Sequence, residues 1–207
     1  FDFYAGSGFL QPTGKKDKNA ENIYTLFDKS GYTITKGFDE FNMKCQQTDK
    51  MILMQKDGKD NASLPFAIDR KADDLTLSQI TESAIRFLTK GEDKGFFLMV
   101  EGGKIDWACH SNDAATVFQE VIDMDNAVKL AYDFYQKHPD ETLIVITADH
   151  ETGGIVLGKG PYKLNLKALA NQKISQEALS KKINELRKNK KNQVSWEDIQ
   201  ALLKENM

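Results

Sequence analysis

The chain has 207 residues, 29% of them charged, and a formal net charge of −3. That length suits one ordinary domain, or one domain with a helical appendage, and is enough to bury a sizeable core. The near-balanced charge excludes a whole-chain electrostatic footprint for nucleic acid or an anionic membrane surface, and no apolar run approaches the roughly 18 residues of a membrane span.

In chain order, FDFYAGSGFLQPTG predicts a short strand broken by Gly6, Ser7 and Gly8. Residues 19–30 place Ile23, Leu26 and Phe27 at helical spacing, with Gly31 as the stop. GYTITKG and then KMILMQ (50–55) read as short strands, and residues 56–75 as a polar surface loop. Residues 76–90 predict a helix burying Leu77, Ile80, Ala84, Phe87 and Leu88, opened by a Thr76/Gln79 capping box. FFLMVE (96–101) and ETLIVIT (141–147) are continuous apolar runs, as in strands covered on both faces. Between them, residues 112–137 predict a long helix with Val117, Val121, Met124, Val128, Ala131 and Phe134 as its core stripe. Helix between two such strands is the βαβ pattern of a parallel sheet. IVLG (155–158) is a further strand candidate. Residues 175–191 and 195–206 each begin at a serine and form a helical hairpin. The expected architecture is α/β, a mostly parallel sheet flanked by helices over residues 1–160, with a helical insertion or cap over 161–207.

Two cysteines, Cys45 and Cys109, are too few for a disulfide framework, and they are open to pairing or to staying free. Three histidines, His110, His138 and His150, set a ceiling on any histidine-rich metal site. His138 precedes Pro139 at a helix end and reads as a capping or surface residue.

MVEGGKIDWACH (99–110) and TADHETGG (147–154) each follow an apolar run with ligand-type side chains. In an open α/β sheet, sites gather outside the carboxyl ends of strands, so Glu101 and the Asp149–His150 pair are expected on one rim. Asp106 and His110 are four apart and face one side if helical. Imidazole with carboxylate suits zinc, and carboxylate with water suits magnesium. Each of these residues also has a plainer reading as a cap, a solvated loop residue or, for Cys109, packing.

Glu-Gly-Gly-x-Ile-Asp-x-x-x-His followed downstream by Thr-Ala-Asp-His resembles the alkaline phosphatases, well over residues 76–157 and more loosely back to residue 1. The resemblance implies Glu101 as a magnesium ligand, Asp106 and His110 as ligands of one zinc, and Asp149 and His150 as ligands of a second. It also implies hydrolysis of phosphate monoesters through a phosphoserine or phosphothreonine intermediate, a periplasmic or secreted location, and a homodimer. Trp107 stands where some relatives carry a basic or imidazole side chain, so it is expected beside the substrate as a wall rather than as a phosphate partner.

The family's Asp-Ser/Thr nucleophile motif, its phosphate-binding arginine and its third zinc-binding histidine have no candidates in this sequence. Ser7 lacks the preceding aspartate, and no histidine follows His150. Phe1 is not an initiator Met. The expectation is therefore an interior fragment of such an enzyme, inactive by itself, self-associating, and weak or empty as a zinc binder. Two other readings stay open: a related metal-dependent phosphodiesterase, phosphomutase or sulfatase, and a non-catalytic α/β binding module.

Overall fold

The structure is a computed structural model and describes residues 1–14, 19–57, 63–91, 94–155 and 165–207. It divides into two compact units. The first comprises Phe1–Pro65, Lys71–Glu101 and Asp123–Val145; the second comprises Phe66–Arg70, Gly102–Ile122 and Ile146–Met207.

The first unit is built on a parallel three-stranded sheet of β1 (Phe3–Gly6), β2 (Thr33–Lys36) and β3 (Met51–Met54), ordered β1-β3-β2. Phe3 aligns with Met51 on one side and Thr33 with Met51 on the other. The central strand is the one whose sequence is apolar at every position, because both of its faces are covered. Helix α1 (Ile23–Lys29) joins β1 to β2, and α2 (Gly37–Lys44) joins β2 to β3. Gly31 ends α1 as its position predicts. At φ +80° its N–H donates to Asp28 O, while Tyr32 N–H donates to Phe27 O, and the Tyr32 and Phe27 rings meet 4.9 Å apart.

The predicted helix over 76–90 is α3 (Leu77–Leu88). Its capping box is complete: Thr76 Oγ1 accepts from Gln79 N–H and Gln79 Oε1 from Thr76 N–H. Ile80 and Phe87 pack with Phe41, Cys45, Met51, Leu53 and Leu75, with Leu88 against them, and Ala84 is also buried. Each such side chain contributes about 1.5–3 kcal/mol on burial. Leu75 and Phe66 are buried within the stretch read as surface loop, where residues 67–69 also make a 3-10 turn. Buried Gln55 holds that stretch by accepting from Leu75 N–H.

Two expectations fail. Residues 96–101 and 141–147 are not strands and are not covered: Phe97 is 85% exposed and Leu143 is 87% exposed. A strand exists only where a neighbour supplies its ladder, and among the described residues none does, so apolar composition is not enough. The βαβ unit expected around them is therefore not formed. The long helix is present as α5 (Ala114–Tyr135), following the eight-residue α4 (Gly103–His110). Its buried face carries Thr116, Val117, Glu120 and Ala127, and Val121 is exposed. Of the IVLG segment, residues 156–158 lie outside the described residues.

The second unit holds α4, the start of α5, and the hairpin α6 (Gln176–Asn189) and α7 (Trp196–Asn206). Its core is Phe66, Ala108, Cys109 and Val117, with Ile68 and Ile105 against them. Two carboxylates knit it together. Asp69 accepts from Ser175 N–H and Oγ–H, at the N-cap of α6. Asp113, 7% exposed, accepts from Thr116 N–H and Oγ–H at the start of α5 and also from Gln172 Nε2 and Gln176 N–H at the start of α6. One carboxylate thus caps two helices. Cys45 and Cys109 are free and buried. Among the described residues no helix is long and apolar enough to cross a membrane.

Candidate metal centre

Gly102 is the N-cap of α4, which presents Asp106 and His110 one turn apart. The helix stops immediately after them. Asn112, at φ +52°, takes the left-handed position, its N–H donates to Cys109 O, and Asp113 N–H donates to Ala108 O. His110 Nε2 consequently stands 3.5 Å from Asp106 Oδ1.

The TADHETGG segment runs against the same helix. Gly153, at φ +83°, lies so close that a Cβ there would meet Cys109 O at 2.5 Å, so only glycine permits the approach. This brings Thr152 between the two predicted pairs. Its hydroxyl donates to Asp106 Oδ1 at 2.7 Å. Having one hydrogen, it accepts from His150 Nδ1 at 2.9 Å, and Glu151 O lies 3.0 Å from the same nitrogen. The hydrogen-bond network therefore places the imidazole proton on Nδ1 and leaves the Nε2 lone pair free, 3.5 Å from Asp149 Oδ2. The Glu151 carbonyl, with the Asp149 carboxylate beside it, raises the His150 pKa above its ordinary value.

The spacing bears on a cation. Two donors of one tetrahedral zinc, with bonds of about 2.0–2.2 Å, stand about 3.3–3.6 Å apart. Both carboxylate–imidazole pairs fall in that span, so each fits as half of a ligand set. Among the described residues no three His, Cys, Asp or Glu side chains gather at one point. Burial first, then the Asp106 and Glu151 carboxylates, push the Cys109 thiol pKa up.

Of the predicted site residues, the structure thus joins Asp106, His110, Asp149 and His150 within the second unit. Glu101 is exposed at the end of the first unit. Trp107 is half-exposed, and the Lys104 ammonium lies 4.3 Å from its ring centroid and 3.7 Å from that of Phe66. Burial lowers the Lys104 pKa against the opposing pull of Glu177, Glu120 and Asp69. His138 is outside the cluster, with its ring against Phe134.

Sequence reasoning missed Thr152, Gly153, Lys104 and Asp113. For Asp113 the signal was present: asparagine then aspartate between two helices is a left-handed stop followed by an N-cap. For Thr152 there was none, because its role depends on which helix the loop touches.

Compared with known proteins, residues 12–206 match the family model described as alkaline phosphatase. The chain is 40% identical over 142 residues to alkaline phosphatase 3 of Bacillus subtilis, which covers 69% of this chain and 29% of the relative. It is 35% identical over 167 residues to alkaline phosphatase 4 of the same organism, covering 78% and 36%. It therefore spans about a third of the length of these curated relatives. Among solved structures, the alkaline phosphatase of the Antarctic bacterium TAB5 is 32% identical with a TM-score of 0.65, over 78% of this chain and 45% of that one. A histidine-to-glutamate mutant of that enzyme was solved with Mg bound in the M3 site, at a TM-score of 0.62 and 32% identity, covering 80% of this chain and 45% of the mutant's.

Proposed function

The chain belongs to the alkaline phosphatase family, a family of hydrolases, and from that premise we propose that it carries part of a metal-dependent phosphomonoesterase centre. The observation that carries the proposal is Thr152, whose single hydroxyl ties Asp106 of one carboxylate–imidazole pair to His150 of the other. Asp106 with His110 holds one zinc, Asp149 with His150 a second, and Glu101 a magnesium. Bound divalent ions supply charge neutralisation for a transferring phosphoryl group and lower the pKa of water. The chain's own part is to orient donors. Thr152 and the Glu151 carbonyl keep the proton on His150 Nδ1 and present Nε2, α4 holds Asp106 and His110 on one face, and Trp107 walls the substrate side. Residues 161–207 serve as a helical insertion or cap segment.

Two protein donors per ion make an incomplete clamp, and neighbouring carboxylates repel one another without the cation. The isolated 207-residue polypeptide is therefore expected to bind zinc weakly and to show no turnover. Zinc titration by calorimetry and p-nitrophenyl phosphate hydrolysis test this. Two tight zinc sites, or metal-dependent turnover by these residues alone, would overturn it. In the intact gene product, Thr152→Val should lower kcat/KM for p-nitrophenyl phosphate roughly 10–100-fold, as for other residues that orient metal ligands, and Asp106→Ala should lower it further. Unchanged rates in both variants would remove the assignment.

A further inference from the structure

We propose that Lys104 is a positioning residue for Trp107: its ammonium, held between the Phe66 and Trp107 rings, fixes the indole beside Asp106. Lys104 and Trp107 are three apart on α4 and share a face. The ammonium lies 3.7 Å from the Phe66 centroid and 4.3 Å from the Trp107 centroid, within the range where a cation is drawn to the negative face of a ring. Phe66 is 6% exposed and belongs to the core of this unit, so the back wall of the clamp is rigid. Trp107 is 50% exposed, so half of its side chain faces solvent. A half-exposed indole samples several rotamers unless something pins it, and the Lys104 cation does so from behind.

The alternative role for a lysine here is direct capture of an anion. The surroundings oppose it. Asp69, Glu120 and Glu177 all act on the Lys104 charge, and Lys181 is the cation among its neighbours. A charge already balanced by carboxylates and covered by two rings is poorly available to phosphate.

The functional meaning of this clamp rests on Trp107 walling the proposed centre. The test does not depend on catalysis, so the two can fail separately. Trp107 and Trp196 are the only tryptophans, so Trp196→Phe leaves Trp107 as the sole emitter. In that background, Lys104→Met should raise the population of the minor indole rotamer about two- to fivefold, read from fluorescence lifetime amplitudes, with a parallel rise in acrylamide quenching. Lys104→Arg, whose guanidinium also stacks on rings, should restore the parent lifetimes. Inorganic phosphate should change none of these spectra. Unchanged lifetimes in Lys104→Met, failure of arginine to restore them, or a phosphate response lost with Lys104 would each overturn the proposal. If Lys104→Met does not fold, Phe66→Leu removes the back ring and should loosen the indole in the same direction, and a rigid indole in that variant would count against the clamp.

Discussion

Removing the Asp113 carboxylate should loosen the second unit more than any other single polar substitution. Its two oxygens accept from Thr116 N–H at 3.3 Å, Thr116 Oγ1 at 2.7 Å, Gln172 Nε2 at 2.7 Å and Gln176 N–H at 2.6 Å. Loss of an N-cap costs about 1 kcal/mol. Each buried donor to a charged acceptor is worth about 1.5–3 kcal/mol, and part of that is recovered as water reaches the freed groups. For Asp113→Ala the expected destabilisation is about 4 kcal/mol, and for Asp113→Asn, which keeps one carbonyl acceptor, about 2 kcal/mol. Urea unfolding followed by circular dichroism measures the total, and hydrogen exchange locates it. Amides at the start of α6 should exchange on the order of 10³-fold faster in Asp113→Ala. Asp69→Ala serves as the control, since it releases Ser175 but leaves the α5 cap intact. A loss below about 1 kcal/mol in Asp113→Ala, or unchanged exchange at the start of α6, would refute the shared-cap reasoning.

Gly153→Ala should cost about 2–3 kcal/mol and displace the TADHETGG segment from α4, since the substitution meets both a positive φ and a carbonyl at 2.5 Å; a crystal structure or unfolding curve superposing on the parent would contradict this. His150 should titrate above the ordinary histidine midpoint when followed by NMR without metal, and Asp149→Asn should lower it. Because the folded form favours the protonated ring, its stabilising contribution is complete below the unfolded histidine pKa and is lost as pH rises through the raised value, while zinc affinity should rise over that window as the competing proton leaves Nε2. Exposed apolar residues at 96–101 and 141–147 should drive concentration-dependent association in sedimentation, reduced by Phe97→Asp or Leu143→Asp; a strictly monomeric profile at high concentration would count against it.

Local signals were read well wherever a helix end decides the structure. The Thr76/Gln79 box, the Gly31 stop and the serine caps of α6 and α7 all form as their positions predict, because caps are settled within a few residues. The α/β class with a parallel sheet is found as expected, but its strands are the short N-terminal ones, with β3 at the centre, and not the two apolar runs from which a βαβ unit was read. Residues 96–101 and 141–147 were not, because pairing is a property of two segments and an apolar run says nothing about its neighbour. For the candidate site, the residue types and the Asp106/His110 spacing were legible as the i, i+4 face of a helix. The bridge through Thr152 was not, since it depends on a tertiary approach permitted only by the missing side chain of Gly153.

That difference bears on how the centre keeps its shape. Asp106, His110 and His150 are held by one helical turn, a left-handed stop at Asn112, and the hydroxyl bridge and glycine contact between α4 and the TADHETGG loop. None of these requires a sheet beneath them. Glu101 has no such device; it ends a stretch with no hydrogen-bonded ladder among the described residues. Under the proposed ligand roles, Asp106, His110 and His150 should therefore keep their placement even when residues 96–101 lack a neighbouring strand. The magnesium position should not, since the geometry of a carboxylate at a strand end is only as fixed as the strand.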